Sequence, residues 1–178
     1  MKEIVQDGAL VLREIANPVP EELFGSPELA NIIGDMTEAL DRELEGVALA
    51  APQIDVPYRI FVVRKDRTIP LPQIPEGAPL PPPLPAEIEV YINPEIVKTS
   101  RRRAKADEGC LSVRGVYGST RRHERVTIKA RRVDGITFER GGGGLMAQIF
   151  EHEIDHLNGI LFIDHAEHLI HIPHATVA

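Results

Sequence analysis

The stretch His152-Glu153-Ile154-Asp155-His156 lies near the C-terminal end of the chain and predicts both a helix and its chemistry. Histidines four residues apart on a helix lie on the same face and can bind one metal ion. Glu153 would then lie within reach of a water molecule on that ion. The pattern alone is only moderately specific, because two structural histidines would give the same spacing. The rest of the sequence has to supply a third ligand and a pocket.

Hydrophobic periodicity places this motif on a helix over 145–157, which Asn158-Gly159 ends. Ile149 lies in the same stripe as the two histidines, and further apolar residues broaden the buried face. The histidines therefore lie at the margin of an apolar face. That position suits a buried metal, and it equally suits two structural histidines that are hydrogen-bonded.

A third protein ligand has to come from outside this helix. In HExxH peptidases with three histidine ligands, the third would fall where Phe162 stands, and a phenylalanine ring cannot bind a metal. The only cysteine, Cys110, is the remaining candidate. A lone cysteine is usually a small buried hydrophobic residue. Beside the two histidines, however, its thiolate completes a Cys-His-His set that leaves one position open for water, as in catalytic sites.

The other periodic segments predict an α+β domain. Ser26-Pro27-Glu28 begins a helix whose apolar residues continue at helical spacing to Leu44, before Gly46. Extended segments are predicted at 57–63, at 87–97 with a break at Asn93-Pro94, and in a hairpin around Asp134-Gly135. We therefore expect mostly antiparallel sheets packed around a central helix that carries the HExxH motif.

Composition bounds the class of protein. The chain has 178 residues, of which 43% are hydrophobic and 26% are charged, as in one globular domain. It has no apolar run of about 18 residues that could span a membrane, and its first residues lack the apolar stretch of a signal peptide. A single cysteine excludes an internal disulfide framework. We expect a cytoplasmic protein without a membrane partner.

Two segments differ from this average composition. Eight of the fifteen prolines lie between Pro70 and Pro85, which predicts an irregular insertion at about 66–86 within a single domain 1–178. Twelve of the twenty basic residues lie between Lys98 and Arg132 with only three acids, although the net charge of the chain is −7. Such a segment is usually a solvated strand surface, and the alternative is a face for RNA or an acidic partner. Tyr117 is the one Phe, Tyr or Trp in this segment, so aromatic residues do not alternate with the basic ones as base stacking would need.

Histidines recur near the end of the sequence, at His165, His168, His171 and His174. A spacing of three residues does not keep side chains on one helix face over that span. We therefore expect an irregular or helical surface tail rather than a second metal site.

Three ordered segments resemble the motifs of the peptide deformylase family. Residues 46–53 (GVALAAPQ) resemble its first motif, residues 108–112 (EGCLS) match its second, and residues 151–159 (EHEIDHLNG) match its third. The likeness covers nearly the whole chain outside the proline-rich segment and the tail. It implies the α+β fold of that family. It also implies an enzyme that removes the N-formyl group from the initiator methionine of new polypeptides and releases formate.

The resemblance further implies which residues act. The implied ligands of one divalent metal are Cys110, His152 and His156, with Fe(II) the expected ion in vivo and Zn, Ni or Co able to replace it. Glu153 would take a proton from water and later deliver it to the leaving amine. Gln53, through its side chain, and Leu111, through its backbone, would donate N–H groups to the developing oxyanion.

The resemblance also places the substrate along the first motif. Gly46, Val47 and Ala48 would present a backbone edge to the incoming peptide. Val47, Leu145 and Ile149 would line an apolar pocket for its first side chain. The implied partners are formyl-methionyl nascent peptides and, transiently, the ribosome, for which the basic segment is the candidate surface. The oligomeric state is left open.

Several residues depart from the family pattern. Ala48 stands where a glycine is usual, Gln148 where an apolar residue is common, and Arg114 where proline is common. None of them removes a ligand or the base, so they bear on rate and on the preference for methionine. Two alternatives remain open. One is a metallopeptidase, which lacks a third histidine. The other is a deformylase-like protein with weakened turnover, an altered substrate or a binding role.

Overall fold

The computed structural model describes residues 2–70, 72–79 and 81–172. The described chain forms two α-helices and eight β-strands. The helices are α1 (Pro27–Asp41) and α2 (Leu145–Leu157). The strands are β1 (Ala48–Ala50), β2 (Ile60–Arg64), β3 (Ile88–Thr99), β4 (Arg103–Cys110), β5 (Val113–His123), β6 (Arg125–Arg131), β7 (Thr137–Gly143) and β8 (Glu167–His171).

The strands form two antiparallel sheets, which confirms the expected α+β class. Within the described residues, one sheet has the order β1-β2-β3-β6-β7 and the other the order β4-β5-β8. Strand β2 is buried on both faces. Ile60 and Val62 pack in the core beside α1, whereas Phe61 and Val63 pack in the core beside α2. The alternation of side chains along this strand therefore holds one helix on each face of the larger sheet.

Helix α1 begins as predicted, because the hydroxyl of Ser26 accepts a hydrogen bond from the backbone N–H of Leu29. It ends at Asp41, earlier than the pattern up to Leu44 suggested. The residues that follow turn toward β1. The guanidinium of Arg67 holds this turn by donating to the carbonyl oxygens of residues 43 and 46 at 2.7 and 2.5 Å.

The predicted break at Asn93-Pro94 is a bulge inside a continuous strand. Pairing of β3 with β6 shifts register between Ile92 and Glu95, and Asn93 has a positive φ of 50°. The Asn93 side chain accepts from the backbone N–H of Val19 at 2.8 Å and donates to its carbonyl oxygen at 3.0 Å. These two bonds hold the left-handed conformation, which asparagine tolerates better than most residues.

Local patterns predicted two elements in the second half of the fold correctly. Strands β6 and β7 form the predicted hairpin around Asp134-Gly135, and α2 has the predicted bounds. Helix α2 packs its apolar face on the larger sheet through Phe150, Ile154 and Leu157. Two aromatic rings of that sheet, Phe61 and Tyr91, stack at 4.6 Å beneath it. The HExxH motif is therefore carried by a helix that the core fixes firmly.

Two surface segments complete the chain. The expectation of an irregular or helical tail is wrong for Glu167–His171, which pairs with β5 as strand β8, while His174 lies outside the described residues. The described residues between Ile69 and Glu87 form no helix or strand. The chain on the two sides of this segment is joined by a hydrogen bond from the backbone N–H of Lys65 to the carbonyl oxygen of Glu87, at 2.9 Å.

Neither described α-helix is long and apolar enough to cross a membrane.

Candidate active site

Cys110, His152 and His156 lie together where the end of β4 meets α2. Their candidate ligand atoms all lie within 4.8 Å of one another. The Sγ atom of Cys110 is 3.3 Å from Nε2 of His156. The two imidazole rings, one helical turn apart, have centroids 5.0 Å apart and an interplanar angle of 76°. Both rings and the thiol can therefore reach a common point.

Phe162 lies against this group without being able to join it. Its buried ring stacks on His152 with centroids 6.3 Å apart and an interplanar angle of 26°. This position therefore does not carry the third histidine ligand that some HExxH peptidases have. The apolar ring instead limits the orientations open to His152.

A buried carboxylate orients His152. Oε2 of Glu108 lies 3.0 Å from Nδ1 of His152, which leaves Nε2 to face Cys110. Glu108 is itself held by Arg122, at 2.6 and 3.0 Å, and by the hydroxyl of Thr120 at 2.8 Å. Arg122 also donates to the carboxylate of Asp155 at 2.6 Å, which ties this network back to α2.

The network sets the charge of these groups. Burial would raise the pKa of Glu108, but hydrogen bonds with His152 and Arg122 hold it well below its usual range. Burial would lower the pKa of His152, but hydrogen bonds with Cys110 and Glu108 raise it well above its usual value. Burial lowers the pKa of His156 well below its usual value. A carboxylate on the outer nitrogen of a histidine fixes the tautomer and raises the basicity of a metal-binding ring.

Glu153 faces the same space from α2. Its side chain is buried, and its Oε2 atom has no hydrogen-bond partner within the described residues. Burial raises the pKa of Glu153 to about 7. The carboxyl group is thus a buried acid–base group with one oxygen free to contact a ligand of the site.

Gln53 approaches the thiol from the opposite side. The backbone N–H of Ala50 donates to its Oε1 at 2.8 Å, which fixes the direction of the amide. Its Nε2 donates to the hydroxyl of Ser112 at 3.1 Å and lies 3.7 Å from Sγ of Cys110. Leu111 lies in the turn between Cys110 and Ser112 and lines the same cleft.

A cleft of about 740 Å³ opens beside this group. It is lined by all the residues predicted to bind substrate, namely Gly46, Val47, Ala48, Leu145 and Ile149. It is also lined by Cys110, Gln53, Leu111, His152 and Glu153. Strand β1 is an edge of the larger sheet, so its outer side can accept an extended peptide. A Cβ atom on Gly46 would lie 3.1 Å from Cδ1 of Leu111, which explains why a glycine suits that position.

The departures from the family pattern have visible partners. Ala48 is not among the described residues with positive φ, so its methyl group requires no unusual backbone angle. The side chain of Gln148 donates to the carbonyl oxygen of Asp107 at 2.8 Å and so bridges α2 and β4 beside the cleft. The guanidinium of Arg114 forms two hydrogen bonds with the carboxylate of Glu43, at 3.1 and 2.6 Å.

The donors at this centre fit a divalent cation. One thiolate and two imidazoles are ligands that Zn, Fe and similar ions accept, and three protein ligands leave a position for substrate or water. Nδ1 of His156 and Oε2 of Glu153 are buried without partners in the described chain. The remaining described residues, which include His165, His168 and His171, contain no second group of three such ligands.

Sequence reasoning gave no role to Glu108 or Arg122. A signal existed for Glu108, because it lies two residues before Cys110 and so points to the same face of β4. Arg122 belongs to the family likeness but had no predicted role, and its side chain reaches Glu108 from a position on β5 opposite Ala104. The ion pair of Arg114 with Glu43 was also missed, because it joins β5 to the turn after α1 across 71 positions of the sequence.

The fold and the site define a metal-dependent hydrolase of the HExxH class. The sequence profile of the polypeptide deformylase family matches residues 1–170. A peptide deformylase of Carboxydothermus hydrogenoformans is 38% identical over 168 residues, which cover 94% of this chain and 95% of the relative. One from Dehalococcoides mccartyi strain CBDB1 is 40% identical over 157 residues, which cover 88% and 81%. The chain therefore belongs to the polypeptide deformylase family.

Solved structures agree with this assignment. The crystal structure of peptide deformylase from Thermotoga maritima has a TM-score of 0.76 and 32% identity, and the match covers 94% of this chain and 99% of that one. A class I type b peptide deformylase from Acinetobacter baumannii with Met-Ala-Ser bound has a TM-score of 0.76 and 32% identity, over 92% and 98% of the two chains.

Proposed function

We propose that the protein removes the N-formyl group from the N-terminal formyl-methionine of new polypeptides. The observation that carries this proposal is the Cys110–His152–His156 group, with Glu153 and Gln53 facing the same cleft. Membership of the polypeptide deformylase family supports the reaction. The reaction consumes one water and yields formate and a free amino terminus.

Cys110, His152 and His156 would hold one divalent cation. When bound, the cation supplies Lewis acidity, which activates water and polarises the formyl carbonyl. Its identity in the cell is proposed to be Fe(II), with Zn, Ni or Co able to replace it. A soft thiolate beside two imidazoles is compatible with each of these ions.

Glu153 is proposed as the general base and then the general acid. Its carboxylate takes a proton from the attacking water and delivers it to the nitrogen of the leaving amine as the C–N bond breaks. The buried oxygen, which has no partner in the described part of the chain, supports this role because it is available to a reacting group.

Gln53 and Leu111 are proposed to stabilise the oxyanion that forms on the formyl oxygen. The amide of Gln53 is fixed by the Ala50 N–H, so its Nε2 needs little reorganisation to meet a developing charge. The backbone N–H of Leu111 would donate from the adjoining turn. Donors held in place before the reaction are more effective than donors that must reorient.

The substrate is proposed to lie along residues 46–48 at the edge of β1. Val47, Leu145 and Ile149 would surround its first side chain, which should be apolar. The Met-Ala-Ser bound to the relative from Acinetobacter baumannii supports this, because that peptide begins with methionine. The side chain of Gln148 makes part of the same cleft polar. The preference for methionine over other first residues should therefore be measured directly.

We further propose a single catalytic domain over 1–178, with the proline-rich insertion at about 66–86.

The substrates of the proposed reaction arise during protein synthesis. This supports a cytoplasmic location and a transient contact with the ribosome through the basic segment. Co-sedimentation with ribosomes should weaken when Arg101, Arg102 and Arg103 are changed to glutamate. Unchanged co-sedimentation would contradict the contact.

Formate release from a formyl-Met-Ala-Ser peptide, catalysed by anaerobically prepared Fe(II) enzyme, tests the function. We expect turnover of the formyl peptide and none of the matched acetyl peptide. Cleavage at an internal peptide bond would favour the metallopeptidase alternative. Full metal occupancy without formate release would favour the binding protein.

A further inference from the structure

The outer face of the three-stranded sheet carries a column of cations that the proposed reaction does not use. Lys105 on β4 lies directly opposite Arg121 on β5, and Arg103 lies opposite His123. Lys105, Arg121 and Arg103 are exposed, whereas Arg122 between them is buried on the other face. The alternation of a strand thus sends one arginine inward to the site and leaves its neighbours on the solvent side.

Two turns extend this column at one end of the sheet. The turn before β4 and the turn between β5 and β6 are joined by backbone hydrogen bonds, from Ser100 N–H to the Arg125 carbonyl oxygen at 2.9 Å and from Glu124 N–H to the Arg102 carbonyl oxygen at 3.1 Å. We define the basic face as the exposed side chains of Arg101, Arg102, Arg103, Lys105, Arg121 and Arg125. Glu124 is the exposed acid in these two turns, and the exposed Asp107, which accepts a hydrogen bond from the Ser119 hydroxyl, bounds the basic face on β4 beyond Lys105.

The arrangement within the basic face is unfavourable for the protein alone. Residues directly opposite in an antiparallel pair have Cβ atoms about 5 Å apart, and like charges in that position destabilise a sheet. Neither Lys105 nor Arg121 forms an ion pair within the described chain. The whole chain has a net charge of −7, so these neighbouring cations do not simply reflect a basic composition. An anionic partner would relieve their repulsion.

The layout of the basic face fits an extended polyanion. Arg103 and Lys105 are successive outward-facing residues of β4, about 7 Å apart along the strand. A row of separated cations suits successive phosphates of a nucleic-acid backbone. No Phe, Tyr or Trp lies within 101–105 or 121–125, so the basic face offers phosphate contacts and none of these rings for stacking on bases. Binding of this kind is independent of sequence and sensitive to salt.

Strand β4 connects the basic face to the catalytic centre. It begins at Arg103 and ends at Cys110, a separation of about 23 Å along the strand. A nucleic acid on the basic face would therefore leave the cleft open to a peptide. We propose that the basic face binds the phosphate backbone of RNA. That the RNA met in the cell is ribosomal rests on the proposed function, whereas RNA binding itself does not.

Fluorescence anisotropy with a labelled RNA hairpin of mixed sequence tests this proposal on the metal-loaded enzyme. The variant Lys105→Gln/Arg121→Gln should bind at least tenfold more weakly at 100 mM salt, with a shallower salt dependence. The matched control Lys2→Gln/Lys65→Gln makes the same change in net charge away from the basic face and should bind as the wild type does. Removing the like-charge pair should leave Tm unchanged or raised, and formate release should not change.

The proposal would be overturned if the two double variants bound the RNA hairpin with equal affinity. It would also be overturned if the wild-type protein bound the hairpin no better than the Lys105→Gln/Arg121→Gln variant. Binding to vesicles containing phosphatidylserine without binding to the hairpin would also overturn it, in favour of an anionic membrane surface. If RNA binds as expected while formate release is absent, the proposed function fails and the RNA-binding face stands.

Discussion

Oε2 of Glu108 lies 3.0 Å from Nδ1 of His152, and the carboxylate is held from behind by Arg122. Glu108 thus fixes the ring of His152, a proposed metal ligand, without being a proposed ligand itself. Mutation of a residue that hydrogen-bonds to a metal ligand typically changes metal affinity by about 10- to 100-fold. Glu108 is therefore proposed as a positioning residue for the metal centre.

Replacing Glu108 with Gln should weaken metal binding by roughly 10- to 100-fold, because the ring loses a charged partner that orients it. Competition with a chelator on Co-loaded protein measures the affinity. Asp107→Asn is the matched control, since Asp107 is the neighbouring acid on the outer face of β4 and bonds to Ser119. Equal metal affinity in the two variants would contradict the positioning role.

The ion pair of Arg114 with Glu43 should affect substrate binding more than turnover. It joins the turn before β1 to the start of β5 at the edge of the cleft. Partly exposed pairs contribute about 0.2–1 kcal/mol, so Arg114→Gln should raise KM by up to about fivefold with kcat little changed. The exchange Arg114→Glu/Glu43→Arg should recover part of the loss. A fall in kcat at constant KM would refute this assignment.

Phe162 should be a packing residue whose loss is costly. Its ring is buried against His152, and removing a buried phenylalanine side chain typically costs about 3–5 kcal/mol. Urea unfolding of Phe162→Ala should show a loss of that order. Ile163→Ala, which alters the partly buried neighbour, should lose clearly less. A loss below about 1 kcal/mol for Phe162→Ala would mean that the ring is not fixed as described.

Asp66 should contribute a pH-dependent part of the stability. Its hydrogen bond with the Arg64 guanidinium lowers the pKa of this partly buried carboxyl to about 2. Because the folded pKa is depressed, the stabilisation is present above the unfolded value near 4 and is lost as pH falls toward 2. Asp66→Asn should therefore reduce the free energy of unfolding by about 1–2 kcal/mol at pH 7 and by less at pH 3.

Urea unfolding at the two pH values measures this difference. Glu76→Gln, which removes an exposed carboxylate from the proline-rich segment, should differ little from the wild type at either pH. A deficit in Asp66→Asn that is as large at pH 3 as at pH 7 would exclude the ionised pair as its cause.

Sequence predicted the parts of this molecule that local patterns determine. The bounds of α2 and the β6–β7 hairpin follow from periodicity and turn residues within a few positions of one another. Strand β8 was missed because its pairing with β5 joins segments about fifty residues apart, and its short sequence has no distinct strand pattern. The bulge at Asn93 was anticipated only as a break, since its cause is a pair of hydrogen bonds to Val19.

The candidate site divides in the same way. The two histidines and Glu153 share one helix, so their spacing alone suggested a common role. Cys110 and Gln53 entered through donor chemistry and family resemblance, and the structure brings both beside the histidines. The bonds of Glu108 with Arg122 and of Glu43 with Arg114 join residues 14 and 71 positions apart, and no local spacing encodes them.

The central claim is that Glu153 moves the proton at a centre held by Cys110, His152 and His156. Replacing Glu153 with Gln keeps the shape of the side chain and removes its ability to accept that proton. Metal content and formate release measured on the same anaerobic Fe(II) preparation test the claim most directly. We predict metal occupancy equal to the wild type with formate release lost by at least 100-fold, in line with the usual size of general base catalysis. Wild-type turnover in the variant would contradict the account.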